Sequence, residues 1–285
     1  MNARRAALAA VIALLAAGIA MAAEPGFASV ARVDWESGVL TVEVSFTLDP
    51  MTDSLPRAKW DAETEIEARR LAFILEGISG VPVDSARTFG DLLPVDPVLR
   101  ESIRGRALES RRDALYLSPD FRRLIALYSV PLFGEKGIAS ALAHGKETPV
   151  HRRLGYTASR AFTGILIHAR GMLPVGGTSG EAALRPALFP RIFDQDMNLV
   201  LDRSMASPDT TSRWGMVGYA DSLEDSVVTT RAGLDPLRIV ARAVFGRNPT
   251  DIVIPAEAAR QILTVNENIE ALRQGRIVVV YEHLE

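Results

Sequence analysis

The sequence predicts an α+β fold in which mixed, mostly antiparallel sheets pack with a few helices. Three observations predict it. Residues 39–48 alternate apolar and polar side chains with a period of two, which is typical of a strand with one buried face. Residues 57–79 instead repeat their apolar side chains at helical spacing. Strand-like and helix-like segments then follow one another irregularly, without the uniform repeat of a doubly wound parallel sheet.

The first part of the chain is predicted as a hairpin followed by helices and two further strands. A turn at 36–38 joins the hairpin strands, and Trp60 is placed on the apolar, core-facing side of the first helix. The many arginines of the second helical segment are interpreted as a solvated face balanced by carboxylates. The predicted elements are strands at 27–33 and 39–48, helices at 57–79 and 98–117, a strand at 124–133, a short helix at 137–143 and a strand at 161–169.

The remainder of the chain is predicted to be richer in strands. Glycines and a proline make 171–187 a loop, and an Asp/Asn-rich turn joins a second hairpin. The predicted elements are hairpin strands at 189–193 and 199–201, strands at 236–245, 250–254 and 276–282, and a helix at 255–264. The expected organisation is a signal peptide at 1–23, an N-terminal α+β region at 24–170, the Gly/Pro-rich loop at 171–187, and a β-rich region at 188–285 packed on the first.

The amino terminus has the composition of a secretory signal peptide. Arg4 and Arg5 precede an almost unbroken apolar stretch from residue 6 to 20, and small residues at Ala20, Ala22 and Ala23 provide a cleavage site. An uncleaved membrane anchor is the alternative. We therefore expect export to the periplasm, with no membrane-spanning segment after signal removal, because no later apolar run approaches the required length.

Composition excludes several classes of function. Apolar residues make up 48% and charged residues 24% of the chain, as in ordinary globular proteins. The net charge of −3 gives no positive field for nucleic acid, so nucleic acid is not an expected partner. Cysteine is absent, which excludes disulfides, thiolate metal sites and a lipid-modified cysteine.

Two motifs, one with oxygen ligands and one with glycines, are candidate binding sites. Asp194, Asp196 and Asn198 have the first spacings of a calcium loop, but Leu199 and Met205 replace its required glycine and carboxylate, so a hairpin turn is the better interpretation. The segment 176–180 lacks the lysine of a phosphate-binding loop and the spacing of a nucleophile elbow, which favours a flexible connection.

Histidine offers no metal site by spacing. The four histidines are His144, His151, His168 and His283, and none forms a compact ligand pair. His168 ends an apolar strand with Arg170 on the same face, where it could act as a base or a pH-sensitive contact, or simply lie at the rim of a sheet. No catalytic, cofactor-binding or metal-binding residue is predicted, and no cofactor is expected.

Several short motifs together resemble a known family. They are residues 74–93, with a helix end, a glycine, a strand and an Asp-Ser pair; residues 156–171; residues 188–200; and the segments beginning at Pro236 and Asp251. In this order they resemble the periplasmic flagellar accessory proteins FlgP and FlgT and related outer-membrane lipoproteins, including spirochaete-like versions without the lipidated cysteine. The resemblance implies a structural or assembly role, with envelope or flagellar-motor proteins as partners.

Three functional hypotheses follow. The first is a non-enzymatic exported envelope protein that binds other proteins through sheet edges and helix faces and forms a homo-oligomer. The second is an exported hydrolase that acts on envelope polymers through a carboxylate pair, with His168 as a helper. The third is a glycan- or ligand-binding module that uses exposed aromatic residues such as Trp35, Trp60 and Trp214.

Overall fold

The computed structural model describes residues 19–20, 26–49, 54–142, 147–154 and 157–282. Within these residues the chain forms seven α-helices, two short 3₁₀ turns and fifteen strands, most of them paired antiparallel, so the fold is α+β. Of the predicted signal peptide, only Ile19–Ala20 is described; the rest lies outside the described residues. None of the described helices combines the length and apolar character needed to cross a membrane.

The strands and helices are numbered in chain order. The strands are β1 (Ile19–Ala20), β2 (Phe27–Asp34), β3 (Val39–Thr47), β4 (Arg111–Leu117), β5 (Arg123–Pro131), β6 (Ile165–His168), β7 (Met172–Pro174), β8 (Glu181–Ala183), β9 (Ile192–Asp194), β10 (Leu199–Leu201), β11 (Gly218–Ala220), β12 (Leu237–Val240), β13 (Ala243–Phe245), β14 (Asp251–Ile254) and β15 (Ile277–Val280). The helices are α1 (Leu55–Ser79), α2 (Phe89–Leu92), α3 (Pro97–Leu108), α4 (Pro208–Arg213), α5 (Ser226–Ala232), α6 (Ala256–Leu263) and α7 (Asn266–Arg273), with 3₁₀ turns at Ile138–Ala141 and Arg203–Met205.

A five-stranded antiparallel sheet in the order β1-β2-β3-β5-β4 forms the first half of the molecule. The predicted hairpin is confirmed, with Phe27 opposite Phe46 and Asp34 opposite Val39. Helix α1 lies against the face formed by Leu40, Val42 and Val44, and a Cβ at Gly77 would lie only 2.8 Å from Val42 Cγ2. Glycine at this position therefore lets the helix approach the sheet closely.

The predicted helix at 98–117 is wrong in its second half. Helix α3 ends at Leu108, and β4 pairs with β5, placing Leu115 opposite Ala126 and Leu117 opposite Leu124. The alternating leucines of β4 gain sheet pairing that a continued helix would not give them. Tertiary pairing therefore outweighs the helical spacing that the arginines suggested.

A four-stranded, fully parallel sheet in the order β11-β15-β6-β12 organises the second half. Helix α5 covers one face through a small apolar cluster that includes Leu166, Val228 and Val278. The other face, which includes Ile165 and Ile167, belongs to the main core. Strand β6, which the predicted division assigned to the N-terminal region, thus completes a sheet made of later strands.

The segment predicted as a loop at 171–187 contains a short hairpin. Strands β7 and β8 pair antiparallel, and Gly176 N–H donates a 2.8 Å hydrogen bond to the carbonyl of Val244. This docks the hairpin beside β13, at the edge of a third sheet with the order β10-β9-β14-β13. The loop prediction is therefore wrong in part, because pairing between β7 and β8 and a backbone bond to Val244 order this segment despite its glycines.

One continuous apolar core joins the two halves. The Trp35 ring, from the β2–β3 turn, meets the Tyr219 ring of β11 edge-on with centroids 5.5 Å apart. Backbone hydrogen bonds from Leu188 to Pro82 and from Phe189 to Val83 add a polar junction between the halves. The two regions are consequently packed together in one body of structure.

Candidate functional site

His168 lies at the rim of the parallel sheet, at the carboxyl end of β6. Its backbone is in register with Val240 of β12 and Val280 of β15, and its side chain is half-buried. Its carbonyl accepts a 2.9 Å hydrogen bond from the N–H of Ala241. Among the described residues, no side chain forms a hydrogen bond or ion pair with the imidazole. The structure therefore places His168 at an accessible sheet rim without bringing a catalytic partner to it.

The remaining histidines are not brought together with His168. His151 is exposed, on a segment without regular structure, while His144 and His283 lie outside the described residues. Across the described ranges, no group of three or more histidine or acidic side chains is arranged to hold a metal ion.

Asp194 organises the turn of the second hairpin. Its Oδ1 accepts hydrogen bonds from the backbone N–H groups of Asp196 and Asn198, at 3.0 and 2.8 Å, and the Asn198 side chain donates to both of its oxygens. Arg153 completes the set with a 2.6 Å ion pair. Burial alone would raise the pKa of Asp194, but the hydrogen bonds from Asn198 and Arg153 together lower it. The predicted hairpin turn is confirmed, and the lone pairs that a cation would need are engaged.

The glycine-rich segment 176–180 forms the tip of the β7–β8 hairpin. Gly177 has φ +82°, which suits glycine in a tight turn. The Thr178 hydroxyl donates to the carbonyl of Val175 and accepts from the N–H of Gly180. These bonds close the turn on itself, so the segment is a hairpin tip rather than a phosphate cradle.

The three tryptophans occupy different environments. Trp35 is buried, and Trp214 is half-buried with its indole N–H donating to the carbonyl of Gln274. Trp60 is 67% exposed, so its predicted place in the core is wrong. Ala58 and Ala62 line the buried side of α1 instead, because the small residues allow the helix to lie close to the structure beneath it. A row of exposed aromatics, as a glycan-binding surface would use, is therefore not formed by these three residues.

A buried polar cluster that the sequence did not indicate joins the two halves. Asp251 is fully buried, and its Oδ2 accepts hydrogen bonds from the Ser85 hydroxyl at 2.7 Å and from Arg191 Nη2 at 2.7 Å. Arg191 Nη2 also donates to Ser85 Oγ at 2.9 Å. Each of these residues is unremarkable in its own segment, so no local pattern could have identified the cluster. Its chemistry is that of a structural clamp, because the serine hydroxyl is buried and donates to a carboxylate that an arginine already holds.

A group of acidic residues gathers where the β2–β3 turn meets the carboxyl end of the parallel sheet. The pKa of Glu36 is raised, most by partial removal from water and then by the negative charges of Asp225, Asp34 and Asp221. Burial and the same acidic surroundings also raise the pKa of Tyr281, whose ring packs edge-on against Tyr219 at 5.8 Å. We call Asp34, Glu36, Asp221 and Asp225 the acidic group. The two halves of the molecule thus bring like charges together at their junction.

The outermost strand of the parallel sheet, β12, forms an open edge. It is the last strand in the order, and among the described strands only β6 pairs with it. Two apolar residues near this strand are strongly exposed, Val240 at 60% and Leu234 at 88%. A strand whose outer side is open and whose apolar side chains are exposed is a typical site for pairing with another chain.

Two parts of the chain match models of known protein families. Residues 27–136 match the N-terminal domain of Treponema pallidum Tp0624, and residues 164–283 match the second domain of the same protein. The two matches follow one another in the order of the domain names and correspond to the antiparallel and the parallel halves of the fold. No curated protein matches the chain.

Proposed function

We propose that this chain is an exported, non-enzymatic protein of the cell envelope whose role is structural: it assembles with other proteins in the periplasm. The observation that carries the proposal is the open edge of β12, with Val240 exposed beside unpaired backbone groups. Backbone pairing across such an edge joins chains without any catalytic group. Export is inferred from the apolar stretch and cleavage site of residues 1–23.

The proposal is tested by the assembly state and the compartment of the protein. We expect the periplasmic fraction to contain a chain that has lost its first residues, and light scattering after size-exclusion chromatography to show a homo-oligomer. A precursor of full length that remains in the cytosol would contradict export. A strict monomer that hydrolyses muropeptides would contradict the structural role.

The more specific proposal is a place beside the flagellar motor. It rests on the resemblance of the short glycine-and-strand motifs at 74–93 and 156–171 to the flagellar accessory proteins. Deletion of the gene is expected to reduce motility and to change the motor seen by cryo-electron tomography. A fully motile mutant with an intact motor would remove the flagellar assignment and leave the general envelope role standing.

A second candidate function is hydrolysis of an envelope polymer at the acidic group. The observation that favours it is the gathering of four carboxylates, which helps raise the pKa of Glu36 above its ordinary value, since hydrolysis by a carboxylate pair needs one carboxyl that holds its proton more tightly than the other. On this hypothesis Glu36→Gln abolishes turnover of peptidoglycan fragments and leaves the fold intact. Equal turnover by the wild type and Glu36→Gln, or no turnover by either, would contradict it.

A further inference from the structure

The backbone of β12 has one satisfied side and one open side. Leu237 N–H donates to the carbonyl of Gly164 at 2.9 Å, and Ala241 N–H donates to the carbonyl of His168 at 2.9 Å. Alternate residues of a strand direct their backbone groups to opposite sides, so those of Arg238 and Val240 point away from β6. No strand of the described residues lies on that side. The edge therefore presents two N–H groups and two carbonyls for pairing.

The two faces of this edge differ in character. Leu237 and Ile239 lie on the face that joins the main core, and their side chains are 8% and 4% exposed. Arg238 and Val240 lie on the opposite face, which β12 shares with Leu166 and His168 through its register with β6. Helix α5 covers Leu166 on this face, but its apolar cluster includes no residue of β12. The edge is thus apolar on one face and open and cationic on the other.

Arginines lie on the open face of β12 and just beyond the ends of β6 and β12. Arg238 is exposed, and Arg170 and Arg242, each two residues beyond the end of its strand, are exposed as well. Within the described part of the chain, no carboxylate forms an ion pair with these three guanidinium groups. The nearby Asp235 is engaged by both terminal nitrogens of Arg160. Among the residues that the structure describes, the cations at this edge therefore have no ion-pair partner, although the whole chain carries a net charge of −3.

Another outermost strand, β4 of the antiparallel sheet, is protected in a way that β12 is not. Arg111 forms an ion pair with Asp113, and Arg112 forms ion pairs with Glu63 and Glu67 of α1. The register of β4 also shifts between Arg112 and Ala114. Paired charges and an irregular register are features that keep edge strands from joining other chains. Strand β12 has a regular register with β6, and its arginine is unpaired.

We infer that β12 binds an extended segment of a partner protein in which acidic and apolar residues alternate. The segment adds as a fifth strand: its backbone pairs with Arg238 and Val240, its acidic side chains lie on the face of Arg238, and its apolar side chains lie on the face of Leu237 and Ile239. The inference rests on the proposed function, since it names the surface and the partner chemistry through which the protein assembles. Charge complementarity selects an acidic segment over a neutral or basic one.

The test uses the full mature protein and a fluorescent synthetic peptide in which glutamate alternates with valine, measured by fluorescence anisotropy. Two companion peptides control the chemistry: one has lysine in place of glutamate, and one is N-methylated at alternate amides. We expect the glutamate peptide to bind and neither companion peptide to do so. Arg238→Glu should weaken its binding by about tenfold or more, because attraction becomes repulsion. The matched control is Arg100→Glu, which reverses an exposed arginine of α3 and should leave binding unchanged.

A second variant tests the backbone. Val240→Pro removes the outward N–H while keeping the bonds to β6, and proline is tolerated on edge strands. It should abolish binding of the peptide, with circular dichroism reporting the fold. If this variant does not fold, the effect of Arg238→Glu on peptide binding still tests the inference. Equal binding of the glutamate and lysine peptides, equal binding of the N-methylated peptide, or equal effects of Arg238→Glu and Arg100→Glu would overturn the inference.

The assembly state separates this inference from the proposed function. If the wild-type protein forms a homo-oligomer that Arg238→Glu dissociates, and the peptide does not bind, a second copy of the chain occupies the edge and the acidic-segment inference is overturned. If the oligomer persists in Arg238→Glu and the peptide does not bind, the inference fails while the proposed function stands. Binding of the glutamate peptide that depends on Arg238 supports the inference even if the protein alone is monomeric.

Discussion

Ser85 Oγ donates a 2.7 Å hydrogen bond to Asp251 Oδ2, although 166 residues separate the two in sequence. Ser85 lies in the region that matches the Tp0624 N-terminal domain, and Asp251 lies in the region that matches the second domain. Because Asp251 is fully buried and also holds Arg191, this contact fixes the relative position of the two halves.

Asp251→Asn is expected to lower the free energy of unfolding by about 2–3 kcal/mol, because Arg191 loses its charged acceptor and Ser85 its hydrogen bond. Arg191 is 42% exposed, so water partly compensates and the loss should not reach that of a fully buried pair. Urea unfolding measures the change. The control is Glu257→Gln, which removes an exposed pair with Arg260 and should cost less than about 0.5 kcal/mol. Equal losses in the two variants would refute the clamp.

Arg231→Lys should destabilise the second half by about 3 kcal/mol. The buried Arg231 guanidinium donates hydrogen bonds to the carbonyls of Gly275, Trp214 and Gly215, and a lysine ammonium cannot reach all three. Burial lowers the pKa of Arg231 to about 9, which still leaves the group charged at neutral pH.

Arg213→Lys is the matched control, because Arg213 lies over the same Trp214 ring but is exposed. Its thermal unfolding should differ from that of the wild type by less than about 0.5 kcal/mol. A similar loss of stability in both variants would mean that stacking on the indole, rather than the three carbonyl bonds, is what Arg231 contributes.

Gly105→Ala should stabilise the protein by about 0.5–1 kcal/mol. Gly105 lies within α3, and nothing lies within 4 Å of a Cβ placed there, so alanine gains helix propensity without a clash. The contrasting variant is Gly246→Ala, where φ is +105° and a Cβ would lie 2.4 Å from Ser85 Cβ. That variant should lose about 2 kcal/mol or more. Chemical unfolding of the two variants measures whether the free energy of unfolding rises for Gly105→Ala and falls for Gly246→Ala. A destabilised Gly105→Ala would show that α3 packs differently.

Glu36 should make stability depend on pH in a defined direction. Its folded pKa is raised, so the folded state binds its proton more tightly than the unfolded state does. The stability it contributes is fully present below the ordinary pKa of glutamate and is lost as the pH rises through the folded pKa. The difference in melting temperature between Glu36→Gln and the wild type should therefore shift in favour of the variant as the pH rises from about 4 to about 7.

Salt should reduce the difference between Glu36→Gln and the wild type, because ions screen the repulsion from the neighbouring carboxylates. The control is Glu101→Gln, whose side chain is 77% exposed on α3. A difference for Glu36→Gln that stays constant with pH, or that follows the one for Glu101→Gln, would contradict the like-charge environment.

Local sequence patterns were sufficient for elements whose partners lie nearby. The alternation in β3 predicted both the strand and its pairing with β2, since one short turn connects them. Strand β4 cannot be recognised locally, because its pairing partner β5 lies beyond the segment 98–117 that the arginine pattern predicts as one helix. Trp60 was misplaced because α1 carries apolar residues on more than one side, and only the sheet decides which side is covered.

The polar and parallel features of the second half could not be predicted for a different reason. The strands that flank β6 come from residues 237–240 and 277–280, and parallel partners leave no turn signal between them. The cluster of Ser85, Arg191 and Asp251 is similarly assembled from three separate segments. The unpaired arginine at position 238 becomes informative only once β12 is known to be the outermost strand.

The position of β15 has a consequence for how the molecule is made. It is the final strand of the described chain, yet it lies inside the parallel sheet, between β11 and β6. A polypeptide that emerges amino end first therefore leaves a gap at the middle of this layer until residues 277–280 arrive. Any factor that holds the nascent chain before then meets a parallel sheet without its inner strand, and this sheet can close only when β15 inserts between β11 and β6.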